Sequence, residues 1–275
     1  TAPVPKHELR VCVGGSCLAA GAQKVVDALQ SAVAEAGVAK DVAIRTAGCM
    51  GPCVRGPVLR MDDGTFYQGV KPEDAADIVR EHVQAGRVVE RLCASDSQTN
   101  ALQPKTTDIP FFTRQTQVVL RNCGWIDPER IEEYVARDGY AALAKVLTSL
   151  TPEQVIEEMK SSGLRGRGGA GFPTFMKWDF TRRAPGTVKY VLCNADEGDP
   201  GAYMDRSTLE GDPHSVIEGM AIAAFTIGAA QGYVYVRAEY PLAVARLRKA
   251  IDQAHACGLL GNNILGSGLS FDLDI

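Results

Sequence analysis

The chain has 275 residues, 45% of them hydrophobic and 23% charged, enough apolar material for two domains with ordinary cores. Twenty-nine basic residues against thirty-three acidic ones give a formal net charge of −4 with no long run of either sign, which argues against nucleic acid as a partner. The N-terminal TAPVPKHELR lacks the apolar core of a signal peptide, and the longest apolar run, 219-GMAIAAFTIGAA-230, is too short to span a bilayer, so a cytoplasmic location with no membrane span is expected.

In chain order, residues 9–13 (LRVCV) read as a short strand, and 21-GAQKVVDALQSAVAEAG-37 as a helix with Val25, Val26, Leu29 and Val33 on one face and a C-terminal glycine. A second strand, 42-VAIRT-46, follows. A loop rich in glycine and proline leads to a hairpin of VLRM and TFYQ around Asp63-Gly64, then to a helix opened by Pro72 with Glu73 and Asp74 in its first turn. The order β-α-β then β-β-α is that of a small thioredoxin-like domain, closed by Gly86, and 94-ASDSQTNALQPKTTD-108 reads as polar linker.

Beyond the linker, Asp127-Pro128-Glu129 starts one helix and 139-GYAALAKVLTSL-150 supplies another. In 151-TPEQVIEEMKS-161, Thr151 caps a third, Pro152 takes its first position and Gln154 completes a capping box. After a glycine-rich loop the pattern alternates: strand 188-VKYVLCNA-195, helix from Asp212-Pro213 to about Gly228, strand 232-GYVYVRA-238, helix from Pro241 to Cys257, and strand 269-LSFDLDI-275. This alternation implies a mainly parallel sheet with helices packed on it. The fold class is α/β, with a thioredoxin-like domain at 1–86, a linker at 87–115 and a second α/β domain at 116–275. Because the sequence stops inside a strand, the second domain is expected to continue beyond Ile275.

Eight cysteines in a chain of this size without an export signal point to metal or redox chemistry rather than a disulfide framework. Cys12 and Cys17 form C-x4-C after the first strand, and Cys49 and Cys53 form C-x3-C after the second, so two adjacent strand ends each deliver a pair. Four thiolates can converge there, and the flanking Gly14, Gly15, Gly48 and Gly51 let backbone amides approach sulfur. Ligation of a 2Fe-2S cluster is the preferred reading; a structural zinc site shares the pair spacing, and buried unliganded cysteines are the third possibility. Cys93, Cys123 and Cys257 are isolated and read as small buried hydrophobes, as does Cys193, and His214 as a surface or packing residue.

In 163-GLRGRGGAGFPTFMKWDF-180, Gly166, Gly168 and Gly171 match the dinucleotide fingerprint G-x-G-x-x-G, but a helix rather than a strand precedes them, so the usual βαβ context is missing. Downstream, 194-NADEGDPG-201 ends a strand in an amide and three acids, at the place where open α/β sheets put ligands.

The cysteine pairs on their βαβ-ββα pattern resemble the thioredoxin-like 2Fe-2S ferredoxin domain of respiratory complex I. SGLRGRGGAGFPT followed by KW, then CNADEGDPGAYMDR, resembles the FMN- and NADH-binding subunit of that complex. The two are joined in soluble NAD-reducing hydrogenases and formate dehydrogenases. The resemblance implies a Rossmann-like FMN/NADH-binding second domain, with Gly166, Gly168 and Gly169 making room for the flavin and its phosphate and Arg167 and Lys177 adding positive charge. It places Asn194, Asp196 and Glu197 at flavin-contacting positions and Phe172 and Phe180 where the adenine of NAD(H) stacks. Asp199 stands where complex I typically has a glutamate near the nicotinamide. The implied activity is a diaphorase passing electrons between NAD(H), FMN and iron–sulfur clusters, through cofactors rather than catalytic side chains. A multisubunit formate dehydrogenase is the first expectation for its partners, with an NAD-reducing or bifurcating hydrogenase as the alternative, and a 4Fe-4S cluster is expected beyond Ile275. A non-enzymatic 2Fe-2S electron-transfer module and a zinc-stabilised scaffold are the competing readings.

Overall fold

The structure, a computed structural model, describes residues 5–275; residues 1–4 of the expected first domain lie outside the described residues. The chain divides into two compact units, one ending at Asp127 and one beginning at Pro128.

In the first unit, β1 (His7–Cys12) pairs in parallel with β2 (Val42–Ala47), and α1 (Gly15–Ala19) and α2 (Ala22–Glu35) make the connection. Strands β3 (Leu59–Met61) and β4 (Phe66–Tyr67) complete the sheet in the order β2-β1-β3-β4, both by antiparallel pairing. The stripe read from the sequence is the buried face of α2, where Val25, Val26, Leu29 and Val33 meet Leu9, Val11, Leu59 and Phe66 in one core. After a 3-10 turn at Pro72–Asp74, α3 (Ala75–Asp77) runs on into a π-helical stretch, Ile78–Gln84, and Gly86 ends it with φ of 65°.

The segment expected as a linker belongs to this unit. Residues 92–105 run along β4, where an open strand edge would leave amides unpaired. The amide of Phe66 donates to Pro104 O at 2.8 Å and that of Gln68 to Leu92 O at 2.8 Å. A two-strand ribbon, β5 (Ala94–Ser95) with β6 (Leu102–Gln103), forms within it around a turn in which Asp96 accepts the amides of Gln98 and Thr99. The short α4 (Pro110–Thr113) then sets Phe112 edge-on against Phe66, with ring centroids 5.0 Å apart.

The second unit starts with α5 (Ile131–Val135), α6 (Ala141–Ser149) and α7 (Pro152–Ser161). The capping box of α7 is present: Gln154 N–H donates to Thr151 Oγ1 at 3.3 Å and Thr151 N–H to Gln154 Oε1 at 2.7 Å. Next come α8 (Thr174–Arg183), β7 (Tyr190–Ala195), α9 (Met204–Gly211), α10 (Pro213–Ile227), β8 (Gln231–Val236), α11 (Pro241–Ala256) and β9 (Asp272–Asp274). The strands form the expected parallel sheet in the order β7-β8-β9. Helices α8 and α9 have no counterpart in the sequence reading. No helix of the described residues is long and apolar enough to cross a membrane.

Helix α10 is the centre of this unit, packing against α6, α7, α8, α9, α11 and the strands β7 and β8. A helix buried on so many sides needs apolar residues nearly all round, and Ile217, Met220, Ala221, Ala224 and Ile227 supply them. Two of its buried polar side chains, Glu218 and His214, are fully engaged. Glu218 accepts from Tyr134 Oη at 2.5 Å and from the amides of Tyr140 and Leu143 at 2.9 and 3.0 Å, which fastens the start of α6. His214 lies between Tyr140 Oη, 2.9 Å from Nδ1, and Gln253 Oε1, 3.0 Å from Nε2. Because the Gln253 amide nitrogen donates to Glu129 O at 2.7 Å, its oxygen is the acceptor facing the ring, which assigns the proton to Nε2. His214 is therefore a packing residue.

Glu218→Ala leaves three buried donors without an acceptor and is expected to lower the unfolding free energy of this unit by about 3 kcal/mol or more, measured by urea unfolding. Burial holds the His214 imidazole below its ordinary value. With the folded pKa depressed, the unfolded state takes up the proton first, so His214 lowers stability as pH falls below about 6.5. His214→Gln is expected to flatten the pH dependence between about 7 and 5 in the same unfolding measurement.

Candidate functional site

Cysteine pairs and a glycine cradle

Parallel pairing aligns Cys12 with Ala47, so the chain leaves β1 and β2 side by side and each exit carries a cysteine pair. Cys12 ends β1, Cys17 lies in α1, Cys49 follows β2, and Cys53 opens a 3-10 turn, Cys53–Arg55. Cys49 Sγ is 3.6 Å from Cys53 Sγ, while the Cys12 thiol shares hydrogen bonds with Cys17 and Cys49. The four sulfurs thus lie in one group, with Cys12 hydrogen-bonded to Cys17 and Cys49, Cys49 to Cys53, and Cys17 feeling the charge of Cys49 and Cys53. Among the described residues, no three or more His, Cys, Asp or Glu side chains close round a single ion position.

The hydrogen bond with Cys17 and burial push the Cys12 thiol up to about 11, and the same bond lowers Cys17. Cys49 is raised through its bond with Cys12 and by burial, and Cys53 chiefly by burial. Holding all four as thiolates therefore requires positive charge among them, as iron or zinc would provide.

Glycine gives the sulfurs their room. A Cβ on Gly14 would sit 3.1 Å from Cys49 Cβ and 3.2 Å from its Cα, and one on Gly56 would sit 2.8 Å from Cys17 Sγ. Gly56 has φ −71° and ψ 160°, which alanine also adopts, so a substitution there acts on the sulfur rather than through backbone strain.

The glycine loop and the acidic turn

In the second unit, α7 and α8 flank the glycine loop. Arg182 of α8 fixes the pair, with Nε donating to Glu153 Oε1 at 3.0 Å and Nη1 to Thr226 O of α10 at 3.2 Å. The base of the loop is closed by Gly166 N–H to Phe172 O at 2.8 Å, Thr174 N–H to Leu164 O at 3.1 Å and Arg165 Nε to Gly171 O at 2.6 Å. Between these ties, a Cβ on Gly168 or Gly169 would meet nothing within 4 Å, and Gly169 and Gly171 hold φ of 98° and 60°. Arg167 turns back to Arg165 O at 3.0 Å. Lys177, in the first turn of α8, brings its ammonium to 6.0 Å from the Phe172 ring. Phe172 and Phe180 are both exposed, at 38% and 56%.

At the carboxyl end of β7, Asn194 is exposed and its Oδ1 accepts the Asp196 amide at 3.0 Å. Asp196 and Asp199 are exposed, whereas Glu197 is buried and engaged within the protein. Its carboxylate accepts the amides of Asp205 at 3.0 Å and Arg206 at 3.1 Å, in the first turn of α9. Sequence reasoning missed two residues that meet Glu197, Arg237 and Tyr240, because they follow β8 some forty residues away. The other cysteines divide: Cys93 and Cys123 are buried, Cys193 is half-buried, and Cys257, expected to be buried, is exposed at the end of α11.

Relatives

Residues 1–83 match the family described as thioredoxin-like [2Fe-2S] ferredoxin, and residues 159–269 match the Nuo51 FMN-binding domain. The chain thus joins a thioredoxin-like [2Fe-2S] ferredoxin domain to a Nuo51-type FMN-binding domain, as the resemblance of its cysteine pairs and glycine loop implied. It is 59% identical over 162 residues to the NADP-reducing hydrogenase subunit HndC of Solidesulfovibrio fructosivorans, a match covering 59% of this chain and 33% of the relative. It is 51% identical over 158 residues to an NADH-quinone oxidoreductase subunit of Rhizobium meliloti, covering 58% of this chain and 38% of that one. The solved thioredoxin-like [2Fe-2S] ferredoxin of Aquifex aeolicus shares 31% identity, covering 35% of this chain and 97% of that chain, with a TM-score of 0.32. The chain spans 33% to 38% of the length of these two curated relatives.

Gly56→Ala is expected to reduce iron and acid-labile sulfide per chain severalfold with all eight cysteines intact, because the methyl group displaces Cys17 Sγ. Metal analysis of anaerobically purified protein checks this, and unchanged iron would remove the glycine from the account.

Proposed function

We propose that this chain is the electron-exchange part of a multisubunit cytoplasmic redox complex, an NAD(P)H–FMN oxidoreductase coupled to a 2Fe-2S centre. The name of the HndC relative supports a hydrogenase as the enzyme it serves, in preference to formate dehydrogenase, and that of the Rhizobium meliloti relative supports a quinone-reducing assembly of the same flavoprotein type. A 4Fe-4S cluster held by polypeptide outside residues 1–275 is part of the same proposal. In it, Cys12, Cys17, Cys49 and Cys53 hold the 2Fe-2S cluster, a reading that the match of residues 1–83 to the thioredoxin-like [2Fe-2S] ferredoxin family supports over a zinc site.

The observation that carries the flavin assignment is the unfilled space at Gly168 and Gly169, set between two hydrogen-bonded ends of one loop and followed by Lys177. Bare backbone there admits a bulky ligand and offers N–H groups to an anion. The Lys177 ammonium adds the charge a phosphate needs, and the exposed ring of Phe172 beside it offers a flat face for a base. Asn194, Asp196 and Asp199 bring acceptors to the carboxyl end of β7. Arg167 and Phe180 border the same loop and helix. FMN, when bound, supplies the conversion between two-electron hydride chemistry and the one-electron steps that iron–sulfur clusters accept.

Gly168→Val tests the cradle directly, since a Cβ there would meet no protein atom within 4 Å. FMN affinity, titrated by flavin fluorescence on the purified protein, is expected to fall at least about tenfold, or about 1.4 kcal/mol. Unchanged affinity in the folded variant would withdraw the assignment. Cys49→Ser is expected to abolish or shift the reduced-cluster signal in electron paramagnetic resonance, because oxygen is a harder and poorer ligand for iron than thiolate.

A further inference from the structure

The turn between β7 and α9 carries the exposed acids of the proposed flavin site, yet its one buried acid points into the protein. Glu197 is 8% exposed. Its carboxylate accepts two amides of α9, those of Asp205 and Arg206, at 3.0 and 3.1 Å, and so occupies the place of a helix cap supplied from outside the helix. Tyr240, leading into α11, donates its hydroxyl to Glu197 Oε2 at 3.3 Å. Arg237, just past the end of β8, donates from Nη1 to the Glu197 carbonyl at 2.6 Å and from Nη2 to Glu239 at 3.0 Å. The Tyr240 ring has the guanidinium of Arg206 at 5.4 Å and that of Arg237 at 5.7 Å from its centroid.

Residue 197 is thus held by its side chain and its main chain together, from the nearby start of α9 and from the distant connection between β8 and α11. On either side of it Asp196 and Asp199 are exposed at the strand end, and among the described residues neither carboxylate receives a hydrogen bond that would hold it against the protein. An acid whose oxygens already accept three donors has little left to offer a ligand, and the charge of Arg237 acts on the neighbouring Asp196 as well.

We infer that Glu197, Arg237 and Tyr240 form a clamp that positions the acidic turn at the end of β7 for the proposed flavin site, with Glu197 turned into the protein. Arg237 and Tyr240 are positioning residues in this arrangement. The inference rests on the proposed flavin site for its ligand but not for the clamp itself, which is a property of the protein alone.

The test compares Arg237→Gln, Arg237→Lys and Tyr240→Phe with the wild type by hydrogen–deuterium exchange of residues 198–206 and by FMN titration. Arg237→Gln is expected to speed exchange of those amides about tenfold without changing α10 or α11, and to weaken FMN binding about tenfold. Tyr240→Phe moves both in the same direction by less, since only the 3.3 Å bond is removed. Arg237→Lys, which can still donate to the Glu197 carbonyl, restores most of both. Unchanged exchange in Arg237→Gln overturns the clamp. Faster exchange with unaltered FMN affinity overturns the positioning role. Failure of lysine to rescue overturns the assignment of the effect to that carbonyl bond. A wild-type protein that binds no FMN would count against the flavin reading, while the exchange data still judge the clamp on their own.

Discussion

Room beside the backbone, after the strands β1 and β2 in one unit and in the loop between α7 and α8 in the other, is the constraint on which both units depend. Sulfur and a flavin phosphate are large and must come close to main-chain amides, and a single methyl group decides whether they can. At the cysteine site the distances are explicit: a Cβ at Gly56 would enter the contact radius of Cys17 Sγ, and one at Gly14 would press on Cys49. In the glycine loop the same requirement shows as space, because Gly168 and Gly169 have no protein neighbour to be avoided. The first unit uses its glycines to fit protein to protein around sulfur, and the second to leave a gap.

The remainder of each unit keeps these places rigid. Parallel pairing of β1 with β2 brings both cysteine pairs to the carboxyl ends of two neighbouring strands, and residues 92–105 cover the open edge of the sheet at β4. In the second unit α10 is the common support, touching both α8, which follows the glycine loop, and β7, which ends in the acidic turn. The buried carboxylate of Glu218 and the imidazole of His214 sit on that helix with every polar atom matched, so they serve its packing.

Local signals carried most of the fold. The Val25, Val26, Leu29, Val33 stripe, the Asp63-Gly64 hairpin, the Thr151–Gln154 box and the strand–helix alternation after residue 188 are all short-range patterns, and each appears in the structure. What was missed depends on distant partners. Helix α8 fully buries none of its residues and is tied down by Arg182 reaching α7 and α10, so it shows no apolar stripe. Helix α9 takes its N-terminal cap from Glu197, which lies before it across a turn of acids and glycines. The stretch 87–115 has a linker's composition, but the unpaired edge of β4 recruits it. In the candidate site, the cysteine pairs were legible because ligand spacing is local. The inward turn of Glu197 was not, since it is decided by Arg237 and Tyr240.

The account stands on electrons passing between a nicotinamide nucleotide and a 2Fe-2S centre through this polypeptide. The most direct measurement is anaerobic addition of NADH, and separately of NADPH, to the protein isolated in its native complex, followed by visible and low-temperature paramagnetic spectra of the same sample. The account predicts that one of the two nucleotides bleaches the flavin absorption and raises the rhombic signal of a reduced 2Fe-2S cluster, and that the Cys49→Ser protein loses or alters that signal while its flavin still bleaches. A protein that carries zinc at the four thiols, or one in which neither nucleotide reduces a bound flavin, would contradict it.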